Sequence, residues 1–375
     1  MIPILAMAVL LSGGTQKALA DLEPTTSEQT LQLRVSVSAP ISQALDSVHI
    51  WDNNVPVFGR KGYTIPFKPG QGRSKWTGDL PKFLLESGDN KIEIAVRATN
   101  GVFSLRTPPK HLAYLPPGGK ITRSLRVLAV GVSPPKTSYL DPLPLAKTDA
   151  RSFYDAITAP DRELFATTTM EGLMPLQDGQ ATRSHILGMK RYLMQTTPDD
   201  TVVLYFEGHG FNSNGMFYFG TYNIDPNRLT GTALSYSDIL DLLEGIPARH
   251  RLVLIDACNS GPRAPGDTSS ADAPPESFDL MLDIFADLDR GEGAEVIGSA
   301  SGYQEAIQAT TDGHGKFAAA VLEAIKNPTM ISKTGLLTVT QLRDYVQKRV
   351  ASLTNRAQKP SERQTNLEGA DWRIR

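Results

Sequence analysis

The 375-residue chain contains a single cysteine. One cysteine excludes an intramolecular disulfide and any metal site built on several thiolates, so Cys258 can matter only as a thiol. A surplus of either charge is also missing. The 38 Lys and Arg face 40 Asp and Glu, for a net charge of −2. That balance excludes a general attraction to nucleic acid or to an anionic membrane. After the first 20 positions no stretch reaches the roughly 20 apolar residues of a transmembrane helix, so no membrane span is expected. What is present is ordinary for a folded protein: 40% hydrophobic and 21% charged residues, enough for a buried core and too apolar for wholesale disorder. At roughly 150 residues per domain, two or three domains are expected.

The N-terminus poses a choice. Ile2 to Leu11 is apolar apart from Pro3, and Ala18-Leu19-Ala20 has the small-residue form of a signal-peptidase site. Residues 1–20 are therefore expected to be an export signal cleaved before Asp21, with a periplasmic or secreted mature chain. No Lys or Arg precedes the apolar run; the alternative is a plain apolar leader on a cytoplasmic protein.

Residues 28–115 have the grammar of strands. Leu31, Leu33, Val35 and Val37 alternate with Gln32, Arg34, Ser36 and Ser38, and Ile92, Ile94 and Val96 alternate with Glu93, Ala95 and Arg97. Period two with β-branched residues indicates half-buried strands. Asp52-Asn53-Asn54, Lys68-Pro69-Gly70 and Thr99-Asn100-Gly101 are turn signals between them. A small immunoglobulin-like β-sandwich without a disulfide is expected, serving as a spacer or as a module that binds another protein. Pro116-Pro117-Gly118-Gly119 opens a linker over 116–124.

From Leu125 to Arg375 the pattern changes. Leu125–Val132, Val202–Phe206 and Leu252–Ile255 are nearly continuous apolar runs, with Val296-Ile297-Gly298 a weaker fourth. Strands buried on both faces read this way in parallel sheets. Helical stretches are expected between them at 145–157, 182–194, 236–243, 278–288, 317–325 and 339–349. The alternation predicts a mostly parallel α/β sheet with helices on both faces.

Sites in open α/β sheets form beyond the carboxyl ends of the strands. After 202–206 comes Glu207-Gly208-His209-Gly210; after 252–255 comes Asp256-Ala257-Cys258-Asn259-Ser260-Gly261. The only cysteine and a glycine-flanked histidine thus follow two core strands. A free thiol is only a few per cent thiolate at neutral pH, and a nearby imidazole can take its proton. Cys258 is the candidate nucleophile and His209 the candidate base. The backbone N–H groups of Gly210 and Cys258 are candidates for an oxyanion hole. Taken singly, a cysteine after an apolar strand is more often a small buried hydrophobe; the pairing of the two motifs points to chemistry. His314, between Gly313 and Gly315, reads as a turn residue.

Leu-Tyr-Phe-Glu-Gly-His-Gly at 204–210 followed by Leu-Ile-Asp-Ala-Cys-Asn-Ser-Gly at 254–261 resembles the caspase-like cysteine peptidases, in particular their metacaspase-type bacterial branch. Val127–Val132 with Lys147–Ala150, and Ser299-Ala300-Ser301 with His314–Phe317, are looser likenesses to the same domain. The resemblance implies a caspase-like catalytic domain over 125–375 and a Cys258–His209 dyad hydrolysing peptide bonds after Arg or Lys. It also implies that Asp256, Asp149 and Glu207 line the pocket for that basic side chain. The family more often has Ser at the position of Glu207, so Glu207 is a departure. Electrostatics agrees with the assignment, since three carboxylates gathered at strand ends repel one another until a cation joins them, and a guanidinium pairs with a carboxylate through two parallel hydrogen bonds.

Residues 259–276 hold four Pro, two Gly and three Ser and read as a mobile loop. Arg263 and Arg290 are candidate self-cleavage points. Asp279, Asp283 and Asp287 could suggest the calcium site that some family members use, but at i, i+4 and i+8 they read as the wet face of a helix. No cofactor or metal is predicted. Two alternatives remain: a catalytically silent caspase-fold binding or regulatory protein, and another thiol hydrolase or acyltransferase on a related fold.

Overall fold

A computed structural model describes residues 6–11, 17–18, 25–39, 44–133, 142–159, 164–168, 176–213, 216–259, 293–298, 313–354 and 371–375. Arg263, Arg290, the 259–276 loop beyond Asn259, and the Asp279, Asp283 and Asp287 series lie outside the described residues.

The N-terminal region is built mainly of antiparallel strands, with Thr25–Thr26 pairing parallel to Lys110–Tyr114. Strand β1 (Ala6–Leu11) pairs with β2 (Leu33–Ser38), and β2 pairs with β4 (Lys75–Asp79). Strand β3 (Leu45–Asp52) pairs with β5 (Gly88–Ala98), and β5 with β6 (Lys110–Tyr114). The alternation along 33–38 appears as strict burial of Leu33, Val35 and Val37 with their neighbours half-exposed. These side chains meet Ile92, Ile94 and Val96 in one core. Within the apolar run expected as a leader, Ala6–Leu11 lies as a strand against β2.

Among the described residues the second region is built on a seven-stranded sheet. Its parallel part runs in the order β8 (Leu176–Gln177), β7 (Leu125–Gly131), β9 (Thr201–Ser213), β12 (His250–Asn259) and β13 (Glu295–Gly298). All four apolar runs are therefore neighbours in one parallel sheet. Strand β9 continues past the end of β7, and its extension pairs antiparallel with β10 (Met216–Phe219), which in turn pairs with β11 (Leu234–Ser235).

Both faces of the parallel part are covered, as continuous apolar strands require. Leu128, Val130, Leu204, Phe206, Val253 and Ile255 pack on one face against α2 (Arg183–Gly188) and α3 (Tyr236–Leu243). Val127, Ala129, Val203, Tyr205, Leu252 and Leu254 pack on the other against α1 (Ala146–Ile157), α4 (Lys316–Lys326) and α5 (Val339–Leu353). The stretch expected as one helix at 182–194 is broken at Met189 into α2 and a four-residue helical segment at Lys190–Leu193. Among the described residues no helix is long and apolar enough to cross a membrane.

The two regions meet in a polar seam. Arg249, next to β12, places its Nε 3.0 Å from Asp52 Oδ2, and Asp52 is fully buried. His250 reaches Glu86 at 3.0 Å, and Asp199 accepts from the Ser87 N–H at 2.8 Å and its hydroxyl at 2.9 Å. A cavity of about 430 Å³ opens along this seam, lined by Trp51, Phe103 and Arg106 of the sandwich and by Leu240 of α3. It lies away from the strand ends that carry the sequence motifs.

Candidate active site

The site is built where the parallel strands end. Strands β9 and β12 run in register, so Glu207 stands opposite Asp256 and His209 opposite Cys258. The period of two decides which face each residue joins. Val203 and Tyr205 belong to the α1/α4 face, and Glu207 and His209 follow at the next positions of the same phase. On β12, Leu252 and Leu254 belong to that face, and Asp256 continues the phase. Cys258 is placed by its backbone at the register position of His209; its side chain lies outside the described residues. His209 is buried, and its carbonyl accepts from the Gly220 N–H at 2.7 Å. Gly210 is paired with both Asn259 and Phe219.

Asp149 arrives from a different element. It sits in the first turn of α1, where the helix dipole favours a negative charge, and its side chain is turned fully inward, at 0% exposure. The close approach of α1 to the sheet depends on Gly131 at the end of β7. A methyl group there would lie 2.4 Å from the Ala146 carbonyl oxygen and 2.7 Å from Ala150 Cβ. Phe153, one turn further along α1, stacks on Tyr205 with ring centroids 4.4 Å apart.

Three carboxylates thus converge in the interior: Asp149 at 0%, Glu207 at 5% and Asp256 at 7% exposure. Their meeting point is Gly315, just before α4. A Cβ at Gly315 would lie 3.2 Å from Asp149 Oδ2, 3.7 Å from Asp256 Oδ2 and 3.7 Å from Glu207 Oε1. The Gly315 N–H donates to Asp149 Oδ2 at 2.7 Å, and His314 Nδ1 contacts Asp149 Oδ1. The Tyr205 hydroxyl donates to Glu207 Oε2 at 2.6 Å.

Burial is the first reason that Glu207 holds its proton well above the ordinary carboxylate range; the charges of Asp256 and Asp149 add to it, as does a hydrogen bond between the Glu207 and Asp149 carboxyls. Tyr205, buried beneath the cluster, likewise keeps its proton well above the usual phenol range, through burial first and the adjacent Glu207 second. The group therefore reduces its repulsion by keeping a proton on Glu207. Among the described residues no cluster of His, Cys, Asp and Glu forms a metal site.

Two participants were not legible in the sequence as site residues. Tyr205 reads there as core, although an aromatic hydroxyl two positions before Glu207 on a period-two strand was an available signal. His314 reads as a turn residue; its contact with Asp149 spans 165 positions, and no local pattern encodes it.

The sequence matches the family model of the caspase domain (peptidase C14) over residues 177–370. That span contains Glu207, His209, Asp256, Cys258 and His314 and leaves out β7, α1 and Asp149, which share the same sheet and core. No curated protein matches the chain. Among solved structures, pro-sf-caspase-1 is similar at 15% identity over 65% of this chain and 88% of that one, with a TM-score of 0.33. The type III pullulan hydrolase from Thermococcus kodakarensis is similar at 12% identity over 62% of this chain and 39% of that one, with a TM-score of 0.14. Likenesses as low as these carry no argument about chemistry or fold. The family match stands by itself: it covers more than half of the 375 residues, and the chain belongs to the peptidase C14 family of caspase domains.

Proposed function

We propose that the protein is a cysteine endopeptidase that hydrolyses peptide bonds after Arg or Lys through an acyl-enzyme. The observation that carries this reading is the register of β9 on β12, which sets His209 against Cys258 and, two positions back, Glu207 against Asp256. Chemistry and recognition then occupy consecutive positions of one pleat. In the proposed reaction His209 takes the thiol proton and the Cys258 sulfur attacks the scissile carbonyl carbon. The backbone N–H groups of Gly210 and Cys258 steady the oxyanion. Collapse of the tetrahedral intermediate expels the amine, which leaves with the proton held by His209. Water then attacks the thioester carbonyl, returning a proton to His209 and freeing the carboxylate product and the thiol.

In this reading the acidic trio recognises the basic side chain. Asp256 and Asp149 supply negative charge, and Glu207 supplies a reserve. A guanidinium entering beside Glu207 would favour its ionised form, so substrate binding would release the proton held on Glu207. Protein or peptide substrates with Arg or Lys before the cut follow as the partner class. Export with cleavage before Asp21 is a separate proposal. It would remove β1 and open the edge of β2, and N-terminal sequencing of the mature chain checks it.

The decisive experiment compares fluorogenic peptides ending in Arg, Lys or Asp on the wild type, Cys258→Ala and Asp256→Ala, with labelling by an Arg chloromethylketone. Expected are cleavage after Arg and Lys, complete loss in Cys258→Ala, and loss through KM in Asp256→Ala. Turnover of the Asp peptide alone would overturn the pocket assignment. Absence of any labelling at Cys258, with or without calcium, would favour the silent binding protein.

A further inference from the structure

Asp149 presents a difficulty for any incoming cation. It is completely buried, and both of its oxygens are occupied: His314 Nδ1 is on Oδ1 and the Gly315 N–H is on Oδ2. Two nitrogens on the two oxygens of one carboxylate reproduce the fork with which a guanidinium grips an acid. The main chain at Gly315 also stands beside all three carboxylates: a Cβ there would lie tightly against Asp149 Oδ2, at 3.2 Å, and in ordinary contact with Asp256 Oδ2 and Glu207 Oε1, each at 3.7 Å.

We infer that His314 and Gly315 form a built-in plug of the acidic pocket, standing where a substrate's basic side chain binds and leaving when it arrives. This rests on the Arg/Lys reading above and deepens it. The surrounding chain is suited to such an exchange. Gly313 has a φ of +71°, a left-handed conformation that glycine adopts without strain, and so supplies a pivot directly before the plug. Phe317 and Ala318 are each 1% exposed in the α4 core and anchor the chain directly after it. Helix α4 starts without a side-chain cap. Withdrawal of the turn would cost the helix one main-chain bond, from the Ala319 N–H to the Gly315 carbonyl at 2.8 Å. The His314 side chain is 25% exposed, so it already touches solvent where it stands.

The opposing view makes His314 a fixed wall that orients Asp149 for substrate. The two differ in the sign of a kinetic effect. If His314 is a plug, His314→Ala removes a competitor hydrogen-bonded to a charged group, and KM for an Arg peptide falls by about tenfold with kcat little changed. If it is a wall, KM rises. A second measurement does not depend on that variant folding. In Cys258→Ala protein, modification of His314 by diethylpyrocarbonate, followed by mass spectrometry, should speed up severalfold when an Arg peptide is added and stay unchanged with an Ala peptide. Unchanged or slower modification on binding overturns the plug. Arg cleavage by the wild type with equal or higher KM in His314→Ala overturns the plug and leaves the Arg/Lys reading standing. Cleavage only after non-basic residues by both proteins overturns the two together.

Discussion

Asp52 and Glu86 at the seam and Asp149 and Glu207 at the strand ends are buried acids of one chain, yet they are satisfied by different means. At the seam the answer is a cation. The Arg249 guanidinium pairs with Asp52 through Nε, and its two terminal nitrogens donate to the Pro247 and Leu84 carbonyls at 2.7 and 2.8 Å. Even so, burial pushes Asp52 up to about 6 against the pull of Arg249. Burial would also raise Glu86, but His250, Asn53 and Arg249 hold it below its ordinary value. At the strand ends the groups on Glu207 and Asp149 are a phenol, an imidazole and a peptide N–H, and Glu207 answers its neighbours by keeping its proton. A seam that must stay closed is neutralised by the chain's own arginine. The strand-end cluster, proposed above to take a cation, is held instead by a phenol, an imidazole and a peptide N–H.

The comparison can be broken most forcefully at Arg249. Arg249→Ala leaves Asp52 buried without its guanidinium and should cost about 3–5 kcal/mol, read from urea unfolding. A loss below about 1 kcal/mol would mean that the seam is not the matched partner of the strand-end cluster. A smaller effect is expected from Gly131→Ala, about 1–3 kcal/mol from overpacking α1 against β7, with a higher KM for Arg peptides because Asp149 moves with the helix. Gly188→Ala, whose added methyl meets nothing within 4 Å, is the control and should stay within about 0.5 kcal/mol.

Titration sharpens the comparison further. An acid whose folded pKa is raised stabilises the fold at low pH and loses that contribution as pH rises through the folded value. For Asp52 the fall lies between its ordinary 3.8 and about 6; for Glu207 it extends well above the ordinary range. Glu207→Gln should therefore make the decline in urea midpoint with rising pH shallower, leaving the Asp52 share between 3.8 and about 6 in place. Identical profiles for the two proteins would contradict the proton on Glu207. The smallest signal is calorimetric. Binding of an Arg peptide to Cys258→Ala should release a fraction of a proton, seen as binding heats that vary with the ionisation enthalpy of the buffer. Glu207→Gln on that background should remove the variation.

Much of this architecture was legible before any coordinates. The four apolar runs identified parallel neighbours because a strand buried on both faces needs an apolar side chain at nearly every position. Period two placed Leu33, Val35 and Val37 inside the sandwich. The motifs expected to follow strands ending at Phe206 and Ile255 lie inside them instead: β9 runs on to Ser213 and β12 to Asn259, because the two keep pairing through His209 and Cys258. The break at Met189 within the expected 182–194 helix, and the lateral neighbour of the Ala6–Leu11 run, were not legible, because both depend on what packs against those segments.

Local chemistry alone therefore determined the class of the protein: which stretches become strands, and that one thiol and one imidazole lie toward the carboxyl ends of two of them. Tertiary structure alone decided the company those residues keep. It turned Asp149 inward through the space left by Gly131, set the Tyr205 hydroxyl on Glu207, brought His314 across 165 positions to Asp149, and locked Asp52 to Arg249. The reason is physical. Periodicity acts over a few residues of one element, whereas the burial and pairing of charge depend on how separate elements come together.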